Sequence, residues 1–293
     1  MFQNLERAMK LMANLKKLFI IGTAYIRHAH LESPTFSLTY LSLHTACPPW
    51  APSPNDILLP ILRAHPELRR LSLPGVWLLP EDDIAALEEQ NSDAHRPAVL
   101  CPRLECVELN GEEILQSFLV GRCVKHLTFN CDLKAVAGVK WGSPCMLQGF
   151  RQLKTIVLCT DIELDAAKAL TITVARHLVS LSRLEVYRMF VPYRRPVVQS
   201  YTPDPLFRSI AQIQSLESLI LSATTQWCTS ELEQEDMVRL LYKSCSKLKE
   251  MFVQSAARHD SHTEYGVGGK VVGMVAREVA NKKRDLFLSM IFR

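Results

Sequence analysis

A short pattern of apolar positions, L-x-x-L-x-L with ordinary apolar substitutions, recurs along the whole chain. One hexamer of this kind is a weak signal because leucine is common, but nine copies in order predict a repeat array. Successive copies start 20 to 36 residues apart. They begin at Leu15, Leu38, Leu68, Leu104, Val124, Leu153, Leu181, Leu216 and Leu248, and a weaker tenth copy begins at Asp285.

The segments between these copies space their apolar residues as helices do. One predicted helical face carries Met237, Leu240, Leu241 and Cys245. The run from Glu163 to Leu181 is predicted to be a long helix, with apolar residues at four-residue steps: Ala166, Leu170, Val174 and Leu178. Similar stripes lie within residues 5–12 and 114–119. Each helix leads directly into the next hexamer, so the predicted unit is one strand and one helix.

Repetition of this unit predicts an α/β fold of the leucine-rich-repeat type. We expect a right-handed solenoid shaped as a horseshoe, with parallel strands on the concave face and helices outside. We expect residues 1–293 to form one array of about nine to ten irregular repeats. The alternative is a set of unrelated buried strands in an ordinary α/β domain.

Three segments interrupt the rhythm and are predicted to be insertions between a strand and a helix. Residues 46–56 hold four prolines and residues 190–205 also hold four, so neither segment suits a helix. Residues 88–99 are polar. Solenoids accept such insertions on one side of the array.

Composition and charge describe an ordinary folded protein. The chain is 48% hydrophobic and 22% charged, and its net charge of +4 is too small to predict a nucleic-acid partner. No stretch is as long and apolar as a membrane span, so no membrane association is expected. Nine unevenly spaced cysteines without a secretory signal favour a reducing compartment, the cytoplasm or the nucleus.

Motifs for chemistry are missing from the sequence, and we expect neither an enzyme nor a bound cofactor or metal. The chain contains no G-x-S-x-G, H-E-x-x-H or Walker-type loop, and no C-x-x-C pair. The GVGGK segment, residues 266–270, is predicted to be a turn before a last helix and not a phosphate site. Paired histidines and basic clusters are more simply solvated loop or helix-end residues.

The solvent side of the strands is the remaining candidate site. Residues that alternate with the leucines are expected to point outward on the concave sheet, beginning with Lys17 and Phe19 on the first strand. Tyrosine and arginine are frequent binding anchors, so Tyr40, Arg70, Arg183 and Tyr187 are the first candidates. The full predicted partner-binding set is Tyr40, His44, Arg70, Glu108, Asn110, His126, Asn130, Arg183, Glu185, Tyr187 and Phe252. The alternative is that these residues are simply the solvated side of a sheet.

The phrases HPELRRLSL, CPRLECVEL and CSKLKEMFV, together with the irregular repeat lengths, resemble the repeat arrays of F-box/leucine-rich-repeat proteins, especially divergent fungal ones. In that family a cysteine or histidine often precedes the strand. The resemblance implies a role in substrate recognition by a ubiquitin ligase. The family's F-box binds a Skp-type adaptor, and its repeats bind the target. No F-box is expected within this chain, so the adaptor is an expected partner only if an F-box lies upstream.

Two functions follow as hypotheses. The first is a protein-interaction scaffold that binds an unknown target on its concave face, as the substrate-recognition region of an F-box-like protein. The second is a repeat scaffold unrelated to ubiquitin, such as a fragment of an immune-type receptor or an assembly factor.

Overall fold

The structure, a computed structural model, divides the chain into two compact units. Unit 1 comprises residues 1–153 and unit 2 comprises residues 154–293. The residues described are 11–21, 36–44, 61–73, 101–110, 122–131, 144–160, 170–188, 204–223, 231–254, 261–269 and 271–276. The predicted insertions 46–56 and 88–99 lie outside them, as does insertion 190–205 except for its last two residues.

The described residues of unit 1 form five strands that follow one another in chain order. Each strand pairs in parallel with the next, with the same position of each repeat opposite its counterpart. The strands are β1 (Lys17–Ile21), β2 (Tyr40–His44), β3 (Arg70–Leu73), β4 (Cys106–Asn110) and β5 (His126–Cys131). Residues 61–64 are helical, and helix α1 spans Pro144–Phe150.

Unit 2 continues the same order of strand and helix. Its first four strands are parallel neighbours in chain order. They are β6 (Thr155–Thr160), β7 (Arg183–Arg188), β8 (Ser218–Ala223) and β9 (Glu250–Gln254). Helices α2 (Ile172–His177), α3 (Asp204–Ile210) and α4 (Glu231–Ser244) lie between them in the chain. The predicted α/β class is confirmed, and the predicted parallel pairing of successive strands is confirmed for β1–β5 and for β6–β9.

The hexamer corresponds to a repeated set of backbone hydrogen bonds. The amide of its first leucine donates to the carbonyl three residues earlier, as in Leu68 to His65 and Leu104 to Cys101, at 3.1 Å each. The next two amides then donate to a single carbonyl of the preceding repeat. In this way Glu105 and Cys106 both donate to the carbonyl of Arg69, at 2.8 and 3.0 Å. Each repeat therefore fixes the register of the one that follows.

The apolar positions of the hexamer form the core. From the second copy onward the first apolar residue is buried in every copy: Leu38, Leu68, Leu104, Val124, Leu153, Leu181, Leu216 and Leu248. The last apolar position is buried in all nine. Because a strand turns alternate side chains to opposite faces, this burial leaves the residues between the leucines on the other face of the sheet.

The predicted helices match the structure in part. In the long run from Glu163, the described helix begins only after Thr171, whose Oγ1 accepts a hydrogen bond from the Val174 amide at 3.3 Å. It ends before Leu178, where the chain must turn into β7, so the prediction of helix up to Leu181 was wrong. In α4, Met237, Leu241 and Cys245 are buried as predicted, but Leu240 is 40% exposed because Val238 occupies the buried face instead.

The last two strands depart from the predicted array. Strand β10 (Ser261–Tyr265) runs antiparallel to β9, and β11 (Val271–Ala276) runs antiparallel to β10. A parallel connection needs a dozen or more residues, and only residues 255–260 join β9 to β10. The GVGGK segment contains a 3₁₀ turn (Val267–Gly269) and leads into β11, so the expected helix after it was wrong. The tenth hexamer and the stripes at residues 5–9 and 114–119 lie outside the described residues.

Candidate functional site

The side of the unit 1 strands opposite the buried leucines carries two rows of described side chains. The first row runs Lys17, Tyr40, Arg70, Cys106, His126, and the second runs Phe19, Ser42, Ser72, Glu108, Thr128. We call these ten residues the unit 1 strand face. Four predicted site residues, Tyr40, Arg70, Glu108 and His126, lie within it, and parallel register brings each beside its row neighbours.

An aromatic pair stands at the β1 end of the unit 1 strand face. The ring centroids of Phe19 and Tyr40 are 4.6 Å apart with the planes at 86°, an edge-to-face contact. Phe19 is 57% exposed, and Tyr40 is half-buried. Burial raises the pKa of the Tyr40 phenol above its ordinary value, so this hydroxyl stays protonated and able to donate a hydrogen bond.

Polar groups fill the middle of the same face. The Ser72 hydroxyl donates to Glu108 Oε2 at 2.6 Å and thereby fixes the carboxylate across the β3–β4 pair. Arg70, Glu108 and His126 are each partly exposed. Cys106 is buried, and burial raises the pKa of its thiol to about 11, so it is protonated near neutral pH.

The equivalent residues of β7 in unit 2 form a closed network. Arg183 Nε donates to Glu185 Oε1 at 2.6 Å, and the Tyr187 hydroxyl donates to Glu185 Oε2 at 2.7 Å. Both carboxylate oxygens of Glu185 therefore accept a hydrogen bond. On β9, Glu250 accepts from the Ser218 hydroxyl at 2.8 Å and lies 3.9 Å from Arg183 Nη1.

Burial corrects the prediction that this part of the set faces solvent. Glu185 is fully buried, Arg183 is 9% exposed, and Phe252 is 3% exposed. Arg183 and Glu185 form an ion pair along one strand, and because their charges neutralise each other both side chains can be buried. Phe252 shares its row with Val157 and Ile220, and all three are buried apolar residues. The interior of unit 2 therefore includes Arg183, Glu185 and Phe252. Tyr187 is the one predicted site residue of unit 2 that is partly exposed.

Three further predicted residues stand at strand ends. His44 ends β2, Asn110 ends β4, and Asn130 lies near the end of β5 opposite Asn110. Their side chains lie outside the described residues. Phe19 was omitted from the predicted set although the sequence placed it outward. The sequence indicated Phe19 only by its outward position on the first strand, beside Tyr40. The contact between the two rings makes Phe19 part of the site.

The described residues show no arrangement for metal chemistry. No group of three or more His, Cys, Asp or Glu among them could hold a metal ion. Burial raises the pKa of the Cys101 and Cys245 thiols to about 11, as it does for Cys106. Within the same residues, no helix is long and apolar enough to cross a membrane.

Unit 1 thus carries a partly exposed aromatic pair with neighbouring polar groups, and unit 2 carries a buried polar network. Compared with known proteins, the chain matches no family model, no curated protein and no solved structure.

Proposed function

We propose that the chain is a protein-interaction scaffold that binds its target on the unit 1 strand face, and that its fold is a leucine-rich-repeat horseshoe. The single observation that carries the proposal is the Phe19–Tyr40 pair, a partly exposed aromatic contact beside Arg70 on a mostly polar sheet face. Interface hot spots are rich in tyrosine and arginine and centre on aromatic anchors. Rows of side chains held in register by backbone bonds present such anchors at fixed positions.

We further propose, from the resemblance of the repeats, that this scaffold is the substrate-recognition region of an F-box-like ubiquitin-ligase subunit. In the HPELRRLSL and CPRLECVEL segments, the first residue forms hydrogen bonds to the preceding repeat. His65 is fully buried, and its Nδ1 accepts a hydrogen bond from the Leu38 amide at 3.3 Å. Cys101 donates its thiol to carbonyls of the preceding repeat. The histidine or cysteine before the strand thus links neighbouring repeats.

Site-specific crosslinking tests the scaffold proposal. A photo-crosslinking amino acid is placed at Phe19 in the full chain, and at Ile172 as a control, which is exposed at the start of α2. The proposal expects one protein to be crosslinked from position 19 in cells and not from position 172. Equal crosslinking from both positions, or crosslinking from position 172 alone, would contradict the strand face as the binding surface.

A second measurement separates the two forms of the proposal. Purified Skp-type adaptor is mixed with the protein including any segment encoded upstream of residue 1, and co-elution is followed by size-exclusion chromatography. Co-elution supports the ubiquitin-ligase role. If no complex forms while crosslinking from Phe19 succeeds, the chain is a repeat scaffold unrelated to ubiquitin.

A further inference from the structure

We infer that the partner presents an acidic segment to the unit 1 strand face, with carboxylates against the ends of the strands and an apolar side chain against Phe19 and Tyr40. This inference rests on the proposed function and names the chemistry of its partner. It is carried by the distribution of charge across two neighbouring rows of unit 1.

The residues immediately before the strands form a row of their own. They are Lys16, Thr39, Arg69, Glu105 and Lys125, and the first four accept two amide hydrogen bonds each from the next repeat through their carbonyls. That pattern places them side by side at the spacing of neighbouring strands, about 4.8 Å. The row therefore lies along the edge of the unit 1 strand face, beside Lys17 and Arg70.

Basic residues exceed acidic ones in these two rows. The row before the strands and the first row of the face together hold Lys16, Lys17, Arg69, Arg70 and Lys125 against Glu105 alone. Five minus one is an excess of four positive charges, and counting Glu108 of the second row leaves three. Lys125 Nζ lies 2.9 Å from Glu105 Oε1, and this pairing holds the pKa of Glu105 below its ordinary value. Lys16, Lys17 and Arg69 are exposed, and we call these three with Arg70 the basic strip.

In unit 2, basic and acidic residues at the equivalent positions balance. Lys249 Nζ is 2.7 Å from Glu217 Oε2 in the row before its strands, and Arg183 is paired with Glu185 in the first row. Counted over the same three rows, unit 2 holds Lys154, Arg183 and Lys249 against Glu185, Glu217 and Glu250, three minus three or no net charge, whereas unit 1 has an excess of three positive charges. An excess of one sign at an exposed surface attracts a partner of the opposite sign.

The spacing suits an extended acidic peptide. Lys17 and Arg70 lie on β1 and β3, two strand spacings or about 10 Å apart, with Tyr40 between them. Carboxylates four residues apart in an extended segment point to the same side and lie about 13 Å apart, a span that the long side chains of Lys17 and Arg70 can reach, and the residue midway between them points to that side too. A side chain between them would then lie over the edge-to-face aromatic pair. Nucleic acid is less well matched, because Tyr40 is half-buried and turned against Phe19, which leaves no row of open rings for stacked bases.

The test selects peptides from a random display library on the full chain. The selected peptides are then measured by fluorescence anisotropy against three variants. Lys17→Glu with Arg69→Glu reverses two charges of the basic strip. Lys154→Glu with Lys247→Glu reverses two exposed charges of unit 2 as the matched control. Tyr40→Ala removes half of the aromatic pair, and thermal unfolding by circular dichroism verifies that every variant is folded.

The inference expects selected peptides enriched in Asp and Glu. Their affinity should fall at least about ten-fold in the strip variant, stay within about two-fold in the control, and weaken as salt rises. Uncharged peptides that depend on Tyr40 but not on the strip would overturn this inference and leave the scaffold proposal standing. Peptides indifferent to both variants, or no selected peptides, would overturn both. Tighter, strip-dependent binding of a uridine oligonucleotide would assign the strip to nucleic acid and overturn the inference.

Discussion

Glu185 illustrates at the scale of one residue how a polar strand position becomes part of the core. Its carboxylate is fully buried, and it accepts hydrogen bonds from Arg183 and from Tyr187, two residues away on either side. A buried charge is tolerated only when it is paired and hydrogen-bonded. The alternation of side chains along a strand predicts the face on which a side chain lies. It does not predict that two oppositely charged neighbours on that face will pair and become buried. That is why Arg183 and Glu185 are buried where the sequence predicted solvent exposure.

We expect Glu185→Gln to destabilise the protein by about 2–4 kcal/mol, because it removes the charge of one partner from a buried ion pair. Asp236→Asn is the matched control, since it breaks an exposed ion pair with Arg239 and should cost no more than about 0.5 kcal/mol. Urea unfolding of both variants measures the difference. Equal midpoints would show that the Arg183–Glu185 pair contributes nothing beyond a surface pair.

Thiol reactivity reports burial at individual cysteines. Cys101 and Cys245 are buried with pKa values raised to about 11, whereas Cys123 is exposed. Thiolate is the reactive form, so iodoacetamide at pH 8 should modify Cys123 much faster than Cys101 or Cys245, as followed by peptide mass spectrometry. Because the folded pKa is raised, these thiols favour folding below the unfolded pKa, and that contribution is lost as pH rises from about 9 to about 11. Equal modification rates at pH 8 would contradict the burial.

At the scale of elements, helix α4 shows what an apolar pattern can and cannot predict. Met237, Leu241 and Cys245 were correctly placed in the core, but four apolar residues within five positions leave the centre of the buried face ambiguous. Packing settles the ambiguity by burying Val238 and exposing Leu240. The pattern thus predicted the helix and most of its face, and it missed the rotation about the helix axis.

Two adjacent leucines test that rotation. Leu241→Ala should lower the free energy of unfolding by about 2–5 kcal/mol, because Leu241 is fully buried and the surroundings fill the cavity only in part. Leu240→Ala should lower it by less than about 1 kcal/mol. Chemical denaturation of both variants gives the comparison. A larger loss at Leu240 would mean that α4 turns its other side to the core.

The turn between β10 and β11 depends on one glycine. Gly269 has φ of 74°, and a β-carbon there would come within 3.2 Å of Val238 Cγ1 and 3.3 Å of Tyr242 Cδ2. We expect Gly269→Ala to destabilise the protein by about 1–2 kcal/mol, because an L-residue is strained in this conformation. Gly266→Ala is the control, since Gly269 is the only glycine with positive φ among the described residues. A melting temperature unchanged by Gly269→Ala would show that the turn adjusts freely.

At the scale of the whole molecule, the order of the strands could be predicted from the sequence. Each described copy of the apolar pattern coincides with one strand and with a repeated set of backbone hydrogen bonds. The α/β class and the parallel order of β1–β5 and of β6–β9 follow from that pattern. The antiparallel ending at β10 and β11 does not, because strand direction there depends on how few residues connect the strands. Likewise, repetition predicts which residues share the outer face, but only packing decides which of them remain open to a partner.

Charge is distributed unevenly between repeats that are otherwise alike. In unit 1 the described rows beside Tyr40 carry an excess of positive charge, and in unit 2 the corresponding described residues include two close ion pairs. Since β1–β5 and β6–β9 share the same parallel pairing, the difference between the two faces lies in their side chains. The proposed binding surface is therefore assigned to unit 1.

Titration calorimetry with the protein crosslinked from Phe19 tests this assignment most directly. We predict that Tyr40→Ala weakens the affinity of the full chain for that protein by about 30-fold or more, the loss typical of an interface hot spot. Leu240→Ala removes an exposed apolar side chain on α4, outside the unit 1 strand face, and should leave the affinity within about two-fold. Unchanged affinity in Tyr40→Ala, or a larger loss in Leu240→Ala, would contradict the account.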